Sequence, residues 1–381
     1  MRALRKLRAE DTHLELVDVD RPAAAPGWAV LDVTYAGICG TDLHITHNSF
    51  PSYPPVTLGH EFLGVVAAVG EDVTSVSPGT RVVCEPHALA CGTCHLCRRG
   101  YAELCAAKRS PGWGIDGAMA AQVAVPAHLL HVVPESVPDR AAALTEPTAI
   151  VVTGYERAPV PIGGTVLVVG PGPIGILSAL VARAAGAGRV VLAGRPSSKS
   201  RLELAASLGV ETWLDDGSTE ESADGAPGST APAGIAGRVY AETGGRGADL
   251  VVESSGSPGA VATCVAAARR RGRMLVLGVP DGPVAEVPWG IAMNRALDVV
   301  FSLSSSWSSW DAALALMARG AVDPAPLATV FPLHRWEDAF AALAGRTAVK
   351  ALIDPSSDVD PASSGDHALP SDHGAQLRRS Q

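Results

Sequence analysis

The run GGTVLVVGPGPIGILSALVARAAGAGRVVLAG, residues 163–194, decides the architecture of this chain. Its TVLVV segment is short, apolar and rich in β-branched residues, as a strand covered on both faces requires. A glycine turn and an apolar helical run follow, and RVVLAG reads as a second strand. Strand, turn, helix, strand is one unit of a doubly wound parallel sheet. The glycines of the G-x-G-x-x-G are Gly170, Gly172 and Gly175. They permit a tight turn, close approach of backbone to a pyrophosphate, and close packing of helix on strand. Pro173 is tolerated because the first helical turn needs no N–H from it. The expectation is a dinucleotide held along Gly170, Gly172, Pro173, Ile174 and Gly175.

The end of the second strand selects the dinucleotide. NAD-binding versions of this unit carry an acid there for the ribose hydroxyls. Here the segment reads LAGRPSSKSR, with no Asp or Glu between Gly175 and Glu203. Gly194 and Arg195 stand in the acid's place. Loss of the carboxylate removes repulsion against a 2′-phosphate, and a guanidinium donates paired hydrogen bonds to it. Lys199, Arg201 and the neighbouring serines add donors, so NADP is expected over NAD. The competing reading is a solvated basic loop in an enzyme that uses NAD.

Outward from this unit, 381 residues exceed one ordinary core, and two domains are expected. Residues 1–152 and 291–354 form one, opening with short alternating runs that read as antiparallel strands; residues 153–290 form the cofactor domain. Within the latter, residues 215–236 are acidic and rich in Gly, Ala, Ser and Pro, and read as a flexible insertion. Residues 355–381 read as a disordered tail. Hydrophobic residues make up 47% of the chain, which suffices for buried parallel strands. No apolar run is long enough to cross a bilayer and the N-terminus lacks a signal-peptide core, so a cytoplasmic protein without membrane contact is expected. The net charge of -9, without a clustered basic face, argues against nucleic-acid binding.

Two constellations carry chemistry. The stretch GICGTDLHITHNSFPSYPPVTLGHEFLG, residues 37–64, sets Cys39 and His60 on glycine-flanked turns with Glu61 beside the imidazole. Thiolate and imidazole suit Zn2+, and three protein ligands leave one position for substrate. No cysteine occurs between residues 130 and 160, so a carboxylate serves as the third ligand, and Glu146 is the best placed. Glu61 is read either as an exchanging ligand or as a carboxylate behind the ligands. Asp42 is expected to take the other ring N–H of His60. The second constellation is CGTCHLCRRGYAELC, with Cys91, Cys94, Cys97 and Cys105. Four thiolates in one loop describe a closed tetrahedral zinc with a structural role. Disulfide pairing is its competitor and is disfavoured by the repeated two-residue gaps. Cys84 and Cys264 fall outside both sets and read as core thiols.

C-G-T-D-x-H, then G-H-E, then E-P resembles the zinc-dependent medium-chain dehydrogenases/reductases, in the polyol, sugar and threonine dehydrogenase branch, over nearly the whole chain. The resemblance implies a β-rich GroES-like catalytic domain beside the doubly wound (Rossmann) cofactor domain. It implies that Thr41 and His44 relay the substrate proton to solvent, with a solvated loop histidine as the competing reading of His44. It further implies that residues 253–256 face the cofactor and that the protein is a homodimer or homotetramer. The expected activity is hydride transfer between NAD(P) and a secondary alcohol or ketone of a polyol, sugar, cyclitol or amino alcohol. The alternatives are a metal-independent reductase of the same fold and a non-catalytic NADP-binding redox sensor.

Overall fold

A computed structural model describes residues 1–215, 234–280 and 286–356. Six parallel strands build one sheet. In spatial order they are Glu211–Leu214, Arg189–Gly194, Thr165–Val169, Ala248–Glu253, Ala268–Val276 and Asp298–Phe301. Numbered along the chain this is 3-2-1-4-5-6, the dinucleotide-binding order, and the direction of winding reverses between Thr165–Val169 and Ala248–Glu253. Those two central strands read VLVV and LVVE, and their apolar side chains are buried on both faces by helices such as Pro173–Ala184 and Pro258–Ala267.

The rest of the chain is antiparallel and β-rich. A mixed seven-stranded sheet is centred on the long strand Trp28–Gly37, which pairs with Glu61–Val69, Gln122–Pro126 and the C-terminal strand Lys350–Asp354. A three-stranded sheet of Glu15–Asp18, Arg2–Lys6 and Val56–Thr57 packs beside it. No helix among the described residues is long and apolar enough to cross a membrane.

Two boundaries differ from the sequence reading. Strand Asp298–Phe301 lies parallel to Ala268–Val276 at the edge of the six-stranded sheet, so this sheet extends past residue 290. The run DVVF is short, and only its parallel partner distinguishes it from an antiparallel edge. Most of the expected insertion at 215–236, and the tail beyond Ser356, lie outside the described residues, but Gly234, Ile235 and Ala236 open the helix Gly234–Glu242. Ile235 and Ala236 are buried there, so an apolar face claims the end of the segment.

The two parts are joined by helices Thr145–Arg157 and Trp307–Ala318. The serine run at 302–309 finds its reason here. The Ser309 hydroxyl accepts a hydrogen bond from Thr153 Oγ1 at 2.7 Å, and the hydroxyls of Ser306 and Ser308 donate to Glu156 at 3.0 and 3.1 Å. Ser306 also caps its own helix. Near the same helix lies His131, buried, with its ring nitrogens 3.3 Å from Glu85 and 2.8 Å from Asp311. His87 lies on the far side of Glu85, 3.1 Å from its other oxygen, and the rings of Trp307 and Trp310 stand 4.1 and 5.6 Å from that of His131. Burial opposes a charge on His131, but the two carboxylates outweigh it and its pKa is raised.

A histidine whose pKa is higher folded than unfolded stabilises the fold fully below its unfolded value, and that contribution is lost as pH climbs through the raised value. Urea unfolding of wild type and His131→Gln should therefore differ most near about pH 6 and converge toward about pH 9. A difference independent of pH would contradict the charged pairing.

Candidate active site

Strand pairing assembles the metal constellation. Strand Trp28–Gly37 ends two residues before Cys39, and Glu61 opens the antiparallel partner strand opposite Gly37. His60 directly precedes that strand. The ligand atoms of Cys39, His60 and Glu61 consequently lie within 4.8 Å of one another. A Cβ at residue 37 would stand 2.6 Å from a Glu61 carboxylate oxygen, so glycine there leaves that carboxylate its place. Cys39 sits at the N-cap of helix Gly40–Thr46, where Asp42 Oδ2 accepts its backbone N–H at 2.8 Å.

The reading of Asp42 needs a correction here, and Glu61 and Glu146 gain definite places. Glu61 lies inside the three-residue cluster, where its register opposite Gly37 puts it. Glu146 stands in the first turn of helix Thr145–Arg157, buried, and close enough for Glu61 and His60 to shift its titration. Asp42 does not hydrogen-bond His60: its Oδ1 lies 3.8 Å from His60 Nδ1, and both atoms are buried without a hydrogen-bond partner. The Asp42 carboxylate is engaged by the Cys39 backbone instead.

One residue went unread in the sequence. Lys350, at the start of the last strand and almost fully buried, forms an ion pair with Glu61. Its only sequence signal was a lysine opening the otherwise apolar run KALI. Burial alone would raise Glu61, but Lys350 and then His60 hold it below the usual carboxylate range. Burial, followed by Glu61, pushes the Glu146 carboxyl up to about 7. Burial and the surrounding carboxylates likewise push the Cys39 thiol up. Cys39, Asp42, Glu61 and Glu146 thus share a dry pocket with His60 and Lys350, an excess of acids that a divalent cation would neutralise. The donor set of thiol, imidazole and carboxylate fits zinc.

Thr41 and His44 lie on helix Gly40–Thr46. Thr41 Oγ1 is 3.8 Å from Cys39 Sγ, and His44 Nδ1 lies 3.0 Å from the hydroxyl of Ser49, which is exposed. The four-cysteine loop also comes together, with all four sulfurs mutually within 4.8 Å and no disulfide formed. Cys91 Sγ is 3.9 Å from Cys97 Sγ and 3.6 Å from Cys105 Sγ. Four sulfurs bonded to zinc at about 2.3 Å would be about 3.8 Å apart, so the loop is shaped for the ion. Cys84 and Cys264 are fully buried in the apolar clusters, and His95 is exposed. Trp113 packs against Phe50 and Tyr53, with ring centroids 5.6 and 6.5 Å away.

The glycine turn has the shape a dinucleotide needs. A Cβ on Gly175 would sit 1.8 Å from the Gly170 carbonyl oxygen, whereas one on Gly172 would meet nothing within 4 Å. Gly172 thus caps helix Pro173–Ala184 facing open space, where backbone N–H groups and the helix dipole favour a phosphate. Gly194 packs under Pro171, its absent Cβ only 2.5 Å from that ring, so a side chain there would have to displace the ring. Arg195 projects next to it and donates to Ser257 Oγ at 3.2 Å. Lys199 is drawn instead toward Glu203, 3.9 Å away on its own helix. Glu253, at the adjoining strand end, accepts the N–H groups of Ser255 and Gly256 at 2.8 and 3.0 Å and so shapes the 253–256 loop over the turn.

Residues 25–135 match the alcohol dehydrogenase GroES-like domain, and residues 173–319 match the zinc-binding dehydrogenase domain. The chain belongs to the zinc-type medium-chain dehydrogenases. It is 32% identical to the sorbitol dehydrogenase of Halalkalibacterium halodurans over 356 residues, 93% of this chain and 99% of that protein. It is 35% identical to the L-threonine 3-dehydrogenase of Streptomyces coelicolor over 362 residues, again 93% and 99%. Among solved structures, a zinc-binding dehydrogenase from Sinorhizobium meliloti 1021 bound to NADP superposes with a TM-score of 0.80 at 30% identity, covering 93% of this chain and 99% of that one. As a dehydrogenase of this family the chain combines the GroES-like and Rossmann units seen above.

Removing one partner of a buried ion pair strands the other charge, at a cost of about 3–5 kcal/mol. Lys350→Met is therefore expected to destabilise the metal-free protein by about that amount. The double variant Lys350→Met/Glu61→Gln should recover most of the loss. Urea unfolding of the three proteins checks this, and a Lys350→Met variant as stable as wild type would contradict it.

Proposed function

We propose that this dehydrogenase is zinc-dependent and NADP-linked, and that it acts on a secondary hydroxyl, or the corresponding ketone, of a polyol, sugar, cyclitol or amino alcohol. The observation that carries the reading is the cluster of half-buried Cys39 with buried His60 and Glu61, and Glu146 beside it, an acid-rich pocket offering the donors zinc prefers. The helix that carries Glu146 in its first turn also packs on the helix that follows the glycine turn, Tyr155 donating to the Ser178 carbonyl at 2.9 Å, so metal site and cofactor site share a wall. Relatives named for sorbitol, threonine and arabitol phosphate support the substrate class.

Cys39, His60 and Glu146 would hold the catalytic zinc, with Glu61 as the carboxylate that can exchange. The four cysteines at 91, 94, 97 and 105 would hold a second, structural one. Bound beside Cys39 and His60, zinc would supply a Lewis acid for the substrate oxygen, and the nicotinamide ring would supply the hydride acceptor or donor. The protein's own part is positional and protic. Thr41 offers a hydroxyl close to the Cys39 sulfur to receive the substrate's proton. His44 passes it outward, and its contact with the exposed Ser49 hydroxyl extends the path to solvent. Gly194 and Arg195 favour NADP, as the NADP-bound neighbour supports. The unpaired state of all seven cysteines accords with a cytoplasmic location.

Self-association is part of the proposal. Around the outer edge strand Asp298–Phe301 the surface shows Phe301, Leu303, Trp289 and Met293, all more than half exposed. A second copy would cover this edge, closing unpaired backbone groups as well as apolar area.

Metal analysis should find about two zinc ions per chain in wild type and about one in Cys39→Ala. In that variant turnover of a polyol and amino-alcohol panel is expected to fall by at least about 1,000-fold while NADPH binding stays within about threefold. Undiminished turnover without the metal would contradict the reading and favour a metal-independent reductase. In wild type, kcat/KM should be at least about tenfold higher with NADP than with NAD. Phe301→Lys should lower the mass measured by light scattering to that of a smaller assembly, and an unchanged mass would contradict the proposed edge.

A further inference from the structure

The segment between the last helix and the last strand brings a second cation to the cofactor's adenosine end. Arg346 comes from residues 345–350, after helix Trp336–Ala344, yet its Nη1 donates to Ser197 Oγ at 3.3 Å, in the turn that follows Gly194 and Arg195. Arg201, on helix Lys199–Ser207, reaches back and donates from Nη2 to the Ala348 carbonyl at 3.2 Å. The two guanidinium groups are close enough for Arg346 to add to the burial that lowers the pKa of Arg201. Arg201 Nε is buried without a hydrogen-bond partner. Neither arginine pairs with a carboxylate among the described residues. Two like charges facing each other, one with an unused donor, are held in an arrangement that an anion would relieve.

We propose that Arg346 and Arg201 form, with Arg195, a clamp for the 2′-phosphate of NADP. The proposal rests on the NADP reading above and adds a residue from the far end of the chain to the determinants of cofactor choice. Three features support a built site. The turn at 195–198 stands where the adenosine ribose of a dinucleotide lies in this strand order. Arg346 takes the left-handed position that ends helix Trp336–Ala344, φ 59°, where the Thr347 N–H donates to the Ala342 carbonyl at 2.9 Å, so the helix end fixes where its side chain departs. The segment is anchored at its other end by the buried Lys350, so the clamp is held in place before the ligand arrives. The anion could instead be the cofactor's pyrophosphate, which NAD shares, and the choice of ligands below separates the two.

Arg346→Gly tests this without disturbing the fold, since glycine adopts the left-handed conformation freely. Arg201→Met is the second variant, keeping the apolar stem. Dissociation constants for NADP, NAD, adenosine 2′-monophosphate and adenosine 5′-monophosphate would be measured by isothermal titration on the full-length protein. Each variant is expected to weaken NADP and the 2′-monophosphate by about 10- to 100-fold and to leave NAD and the 5′-monophosphate within about twofold. Equal losses for NAD and NADP would assign the arginines to the pyrophosphate and overturn the clamp. A wild type that prefers NADP while both variants keep that preference would overturn the clamp alone. A wild type that binds NAD as tightly as NADP would remove the NADP reading and the clamp together.

Discussion

The pairing of Lys350 with Glu61 is the interaction on which the site depends. A carboxylate taken out of water must find a counter-charge or give up its ionisation. Glu61 finds Lys350, delivered by the last strand of the chain onto the strand that leads to Cys39. With Glu61 held ionised, Glu146 and Cys39 share the same low-dielectric space and are both pushed toward their neutral forms. The metal-free pocket therefore stores protons that a divalent cation would displace on binding, which is how a buried thiol becomes a ligand.

The cluster and the cofactor turn are separate in sequence but not in construction. Helix Thr145–Arg157 carries Glu146 at one end and packs on the helix of the glycine turn along its body. The stretch 346–350 likewise carries Arg346 beside the 195–198 turn and Lys350 beside Glu61. Two rigid pieces of chain thus each touch both halves of the chemistry. Such a frame keeps a reacting carbon and a nicotinamide ring aligned without loops having to order first.

The legible parts of this fold were those fixed by local chemistry. The glycine turn could be read because each glycine answers a steric demand within a few residues, and the four cysteines because one short loop contains the whole donor set. The parallel strands announced themselves by continuous apolar runs. What escaped was set by pairing across long distances. The place of Glu61 in the cluster depends on which residue of strand Glu61–Val69 stands opposite Gly37, and no local pattern encodes that register. Lys350 and Arg346 act some 290 and 150 residues away in sequence from their partners Glu61 and Ser197, as the separations of 289 and 149 positions show. Strand Asp298–Phe301 was assigned to the wrong unit for the same reason. The serine run at 302–309 serves helix capping and the contact with helix Thr145–Arg157, a helix 150 residues away.

The claim at the centre is that Cys39 and His60, with a carboxylate beside them, bind a metal ion distinct from the one in the cysteine loop. Anomalous diffraction at the zinc edge from crystals of the zinc-loaded protein tests it most directly. The account predicts two peaks in each chain, one among the sulfurs of the four-cysteine loop and one between Cys39 Sγ and the His60 ring, with Glu146 or Glu61 completing the coordination. A single peak at the cysteine loop, with the Cys39 pocket empty of metal in fully loaded protein, would contradict it.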